Sequence, residues 1–193
     1  MSLSPELQHF VAAQDAFGSL VARIGDGQWG DSTPCTDWTV RELVNHLVNE
    51  QMWATPMLQG MTIEEVGGRL DGDLLGADPQ ESWRMSAVAS RKAFTAPGAL
   101  DGTINSSAGD EPADQYLGEM TFDLLVHRWD LGRSIGVEQH FSDRECGRLS
   151  EVVTKLKPMS AQLIEAGMLA APVSVDEDAT PQTKLLAALG RTG

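Results

Sequence analysis

Apolar residues recur every three or four positions in long runs closed by proline and glycine, and this pattern commits the chain to helices. Leu7, Phe10, Val11, Phe17, Leu20, Val21 and Ile24 keep that spacing after Ser4-Pro5, and Gly25-Asp26-Gly27 stops the run. Thr39 followed three residues later by Glu42 is a capping box, so a second helix starts there and ends near Pro56 to Gly60. A third opens at Asp78-Pro79, carries Trp83, Ala87, Val88 and Phe94 as core and stops at Pro97-Gly98. A fourth begins near Pro112 and runs to Gly136, a natural helix end. Ser142 and Glu145 cap a fifth, through Leu149, Val152, Val153 and Leu156, which Pro158 interrupts. Thr180-Pro181 starts a last short helix through Leu185, Leu186 and Leu189.

Between these runs, Met61 to Ala77 is glycine-rich and reads as a long loop or a broken short helix. Asp101 to Asp114 is polar, with only Thr103-Ile104-Asn105 hinting at an extended segment, and Ala171 to Thr180 is acidic and extended. No alternating run of β-branched residues is long enough for a sheet, and there is no internal repeat. The expected fold is all-α: a four-helix bundle with additional short carboxy-terminal helices. At 193 residues the chain is expected to form a single domain, 1–193, with a core that needs no disulfides. Cys35 and Cys146 are too few and too far apart for a disulfide framework or a C-x-x-C metal site.

The amino terminus lacks a basic region followed by an apolar run, and no stretch approaches the roughly 18 apolar residues of a membrane span. A cytoplasmic protein without a membrane partner is expected. Asp and Glu outnumber Lys and Arg 28 to 14, and a net charge of -14 repels nucleic acids.

Two helices carry the chemistry. In the segment from Thr33 to Val48, His46 sits between Leu43 and Leu47, with Glu50 one turn on and Trp53 on the same face. In the segment from Asp123 to Leu131, Asp123 lies one turn before His127, so their Cβ atoms are about 5–6 Å apart. Two imidazoles and a carboxylate form a three-ligand set that leaves coordination positions open, suited to zinc, nickel, iron or manganese. Glu50 is then a fourth ligand or a general base, and Trp53 a core residue or a pocket wall. The bland alternative is two interior histidines with Asp123 as the hydrogen-bond partner of His127. Asp130, one turn after His127, is expected to pair with Arg41 and orient the two helices. Cys35, just before the second helix, is either a packing residue or a thiol activated by the helix's positive end. His9 and His140 are expected at the surface, and Glu119 as a solvated side chain.

The stretches Thr33-Pro34-Cys35-Thr36-Asp37-Trp38-Thr39-Val40-Arg41-Glu42-Leu43-Val44-Asn45-His46 and Leu125-Val126-His127-Arg128-Trp129-Asp130-Leu131-Gly132-Arg133-Ser134-Ile135-Gly136 resemble the metal-binding, DinB-like bundles related to mycothiol-dependent maleylpyruvate isomerase. The closing residues from Ala179 to Arg191 are similar to the end of shorter members. The resemblance implies that His46, Asp123 and His127 are metal ligands, with zinc foremost among the divalent ions. It departs at Asp123, where the isomerase has glutamate, one methylene longer. The isomerase also carries a further carboxy-terminal domain that helps form its substrate site, and this chain is expected to lack it.

The implied function is a metal- and thiol-dependent isomerase or S-transferase acting on a small electrophile. Its cosubstrate would be mycothiol or a similar low-molecular-weight thiol, with Glu50 as a proton carrier, Trp53 at the pocket, and a monomer or homodimer as the working form. The alternatives are a bundle that binds a metal or small ligand without turnover, and a metal-dependent hydrolase.

Overall fold

The computed structural model describes residues 3–35, 37–106 and 109–192; Thr36, within the motif that leads into the second helix, lies outside them. By contacts the chain divides into two compact units, Met1–Val137 and Glu138–Gly193.

The first unit is built on four long helices: α1 (Pro5–Val21), α2 (Val40–Leu58), α4 (Pro79–Phe94) and α5 (Ala113–Ser134), with the single turn α3 (Ile63–Val66) between α2 and α4. α1 packs on α4 and α5, and α2 packs on the same two, so the four close a ring around one core. Phe10, Phe17, Leu43, Leu47, Phe94, Leu117 and Leu124 fill it. Phe10 meets Phe94 edge-on with ring centroids 5.0 Å apart. Inside this apolar interior, Gln14, Gln51 and Ser90 join α1, α2 and α4. The Gln14 amide donates to Gln51 at 2.7 Å and to Ser90 at 2.8 Å, and the match of polar groups fixes how the three helices sit against one another.

Each helix start follows from its cap. Ser4, Thr39 and Asp78 accept from the backbone three residues on, and Thr39 with Glu42 forms the full capping box. The polar face of α2 holds the loop after it. Asn45 donates to the Gly72 carbonyl at 3.0 Å and accepts from the Leu74 amide at 2.8 Å, and Asn49 donates to the Leu70 carbonyl at 2.7 Å.

Two details depart from the sequence reading. Val88 is not core but 55% exposed, because the inward face of α4 runs through Trp83, Ala87, Ser90 and Phe94, and a residue adjacent to Ala87 is turned well away from it. The polar segment after α4 forms a small antiparallel hairpin, β1 (Thr103–Ser106) and β2 (Gly109–Pro112), with Ile104 opposite Glu111. Four-residue strands are too short for their alternation to stand out in a sequence. The hairpin packs against α2 and α5, and the fold remains all-α otherwise.

The second unit contains α6 (Asp143–Leu156), a 3-10 turn at Lys157–Met159 where Pro158 breaks the helix, α7 (Ser160–Glu165) and α8 (Pro181–Ala188). α6 packs on α8. Among the described residues, no helix is long and apolar enough to cross a membrane.

Candidate metal centre

α2 and α5 face each other, and the fold uses that to bring together residues seventy-seven positions apart. His46 Nε2 lies 2.9 Å from Asp123 Oδ2, and His127 Nε2 lies 3.3 Å from Asp123 Oδ1. The carboxylate thus turns one oxygen to each imidazole. The two rings meet nearly edge-to-face, with centroids 5.2 Å apart. One donor atom from each of the three residues lies within 4.8 Å of the others.

The environment is graded. His127 is 8% exposed at its side chain, Asp123 31% and His46 27%, so the cluster has a buried floor and an open side. Burial pushes the Asp123 carboxyl up, but the charges and hydrogen bonds of His127 and His46 outweigh it and hold it well below the usual carboxylate range. Burial pulls the His127 imidazole down, and Asp123 first, then Asp130 and Cys35, raise it well above the ordinary value. The metal-free cluster therefore favours an ionised Asp123 carboxylate paired with a protonated His127.

Whether a divalent ion fits is a matter of donor chemistry and spacing. Bonds of about 2.0–2.1 Å to nitrogen or oxygen in a tetrahedral site put ligand atoms roughly 3.3 Å apart. The 2.9 and 3.3 Å separations run to different oxygens of Asp123 and are hydrogen-bond lengths, with one donor atom of each residue within 4.8 Å of the others, and two imidazoles with one carboxylate are a set that divalent transition metals take. The residues fit the group. Asp123, although shorter than glutamate, reaches both imidazoles.

On the other face of His127 lie Asp130 and Cys35, both singled out in the sequence but with other partners or roles. His127 Nδ1 lies 2.9 Å from Asp130 Oδ2, and Asp130 is fully buried. A buried carboxylate accepts, so Nδ1 carries the proton and Nε2 keeps its lone pair for the cluster whenever the ring is neutral. The Cys35 thiol donates to the same Asp130 oxygen at 3.2 Å and lies 3.7 Å from His127 Nδ1. The expected Asp130–Arg41 pair does not form: Arg41 donates to Asp73 at 2.8 Å and to the Gly76 carbonyl at 2.9 Å. One turn of α5 points Asp130 back at His127, on the interior side, while Arg41 leaves α2 on the outer side.

The loop before α2 is tied so that Cys35 and Trp38 reach this place. Thr33 donates its hydroxyl to the Trp38 carbonyl at 2.9 Å and accepts from the Cys35 amide at 3.1 Å, and the Val40 amide donates to the Asp31 carbonyl at 2.9 Å. Trp38 then lies over both imidazoles, its ring 4.8 Å from that of His46 and 5.7 Å from that of His127. Trp38 is thus the indole beside the cluster, while Trp53 is half-buried further along α2.

Glu50, one turn after His46, feels the cluster directly. Burial, then the Asp123 charge, push its carboxyl up to about 6 against the pull of His46 and His127. His9, expected at the surface, is half-buried in α1, and His140 is exposed beside Glu138 at 3.4 Å.

The model of the mycothiol maleylpyruvate isomerase N-terminal domain matches residues 10–132. The chain belongs to this family. The matched segment of the isomerase-type domain contains every donor described above. Two uncharacterised proteins, from two strains of Mycobacterium tuberculosis, are each 35% identical over 128 residues. That stretch is 64% of this chain and 64% of each relative's own length. No solved structure matches the chain.

Proposed function

We propose that this member of the family holds one divalent ion on His46, Asp123 and His127, zinc foremost, and uses it to activate mycothiol or a similar low-molecular-weight thiol against a small electrophile. The reaction would be an isomerisation or an S-transfer. The observation behind this reading is the convergence of three donors, and among the described residues no fourth protein donor joins that set. A site with three protein ligands leaves positions for a substrate, whereas a closed structural site has four.

An ion bound there lowers the pKa of a coordinated thiol and supplies it as thiolate, the nucleophilic form. The chain's own groups do the rest. Asp130 fixes the tautomer of His127 and its ring orientation. Trp38 covers the imidazoles and keeps water from that side. Glu50, with a carboxyl raised to about 6, would take up the thiol proton and return it to a carbon of the electrophile. Addition of a thiolate to an unsaturated carbonyl permits rotation and re-elimination, or ends as a conjugate.

The same Glu50 favours a second reading, in which it activates water for metal-dependent hydrolysis. One experiment separates them. Protein purified without chelator is analysed for metal, then assayed on a panel of electrophiles and esters with and without mycothiol. About one equivalent of divalent ion and turnover only with thiol support the first reading. Turnover without thiol selects hydrolysis, and full metal content in His127→Ala removes that residue from the ligand set.

A further inference from the structure

Beyond the three donors, α5 continues the same face. Asp123, Glu119 and Tyr116 succeed one another by three or four residues toward its amino end, and Glu50 stands on α2, which packs on α5. The hairpin packed on α2 and α5 adds Glu111 from β2. The Gln115 amide bridges these carboxylates, donating to Glu111 at 3.0 Å and to Glu119 at 3.1 Å. Glu119 is exposed, whereas Glu111 and Tyr116 are each only 7% exposed.

Two polar atoms of this strip are left over. The Tyr116 hydroxyl and one oxygen of Glu111, Oε1, are buried without a hydrogen-bond partner. Buried polar groups are nearly always paired, and leaving one unpaired costs about 1–3 kcal/mol. The Tyr116 phenol is pushed up by burial and then by the charges of Glu50, Glu111 and Glu119. Burial likewise pushes the Glu119 carboxyl up, the Gln115 amide pulls it back, and Glu111 pushes it up again. The strip is rich in acceptors and poor in donors.

Resting on the reading that a thiol sulfur is held at His46, Asp123 and His127, we infer that Glu111, Tyr116 and Glu119, with Glu50, form a second subsite that takes a hydrogen-bond-donating group of the same ligand, an ammonium or a hydroxyl. A helix rise of 1.5 Å per residue puts that group about 6–10 Å from the sulfur. The ligand is therefore a thiol carrying donors several bonds away, and the subsite selects it over an apolar thiol of equal length.

The test titrates zinc-loaded protein calorimetrically with hexanethiols ending in an ammonium, a hydroxyl or a methyl group. A donor-ended thiol binds about tenfold tighter than the methyl-ended one, and whichever donor shows the gain identifies charge or neutral hydrogen bonding as what is read. In Tyr116→Phe and in Glu111→Gln that ratio falls to about one. Tyr116→Phe removes only an unpartnered hydroxyl, so its melting temperature stays or rises, which separates lost recognition from lost folding. Equal affinities for all three thiols, or a ratio kept in both variants, overturn the subsite. So does a second equivalent of zinc that vanishes in Glu111→Gln, since the strip would then be a cation site. Hexylammonium, which has no sulfur, divides the two claims. If no thiol binds in a zinc-dependent way but hexylammonium binds and is weakened in both variants, the subsite stands and the metal-thiol reading falls; hexylammonium binding equally to wild type and variants removes the subsite too.

Discussion

Asp130 meets the proposed metal set at His127, and its contact with Nδ1 decides which nitrogen of that ring faces the cluster. Asp130→Asn keeps the shape and removes the charge that stabilises the protonated Nδ1. Metal affinity is expected to weaken about 10–100-fold, measured by chelator competition, with the helical content unchanged. Glu50 makes a different prediction, in pH. Its folded carboxyl titrates at about 6 against an ordinary 4.5, so between those values the folded state binds more protons than the unfolded chain. Stability of the metal-free protein therefore falls as pH rises through that window. Glu119 is raised too and contributes in the same sense. Melting curves of metal-free Glu50→Gln are expected to show a shallower fall over this range than wild type and a higher melting temperature at neutral pH. At this scale the sequence showed His46, Asp123, His127 and Glu50 through spacing on two helices. Cys35 and Asp130 stood out in the sequence without their contact to each other and to His127, and the place of Trp38 beside the imidazoles depends on the loop before α2, which no periodicity marks.

Elements come close where their side chains allow it, and Gly18 is the clearest case. A Cβ there would lie 2.7 Å from Trp83 Nε1, and Trp83 is itself 5% exposed and packed against Phe17 at 4.7 Å. The indole has no free end to swing aside. Gly18→Ala is expected to destabilise by about 1–3 kcal/mol in denaturant titration, in spite of alanine's better helix propensity, because the clash forces α1 from α4. The helix starts at Ser4, Thr39, Asp78, Ser142 and Thr180 were readable because caps are local chemistry. The hairpin was not, since each strand is four residues long and its pairing depends on a partner across a turn.

For the molecule as a whole, a divalent ion that binds the folded chain and not the unfolded one adds stability by mass action. Zinc at a hundred times its dissociation constant contributes about 2.7 kcal/mol, a rise of roughly 5–10 °C in melting temperature for a chain of this size. The rise is expected in wild type and lost in His46→Ala, whose side chain is 27% exposed and leaves little cavity behind. A rise of the same size in both proteins would mean the ion binds elsewhere. By itself the sequence determined the helices, their caps, an acidic surface that repels polyanions, and an i,i+4 Asp-His pair, because each of these is set by neighbours within a turn or by composition alone. Only the tertiary structure decided that α2 lies against α5, that one carboxylate is shared between two imidazoles, and that Asp130 and Cys35 stand behind one of them. Those contacts join residues far apart along the chain, and no local spacing encodes the packing that closes such distances.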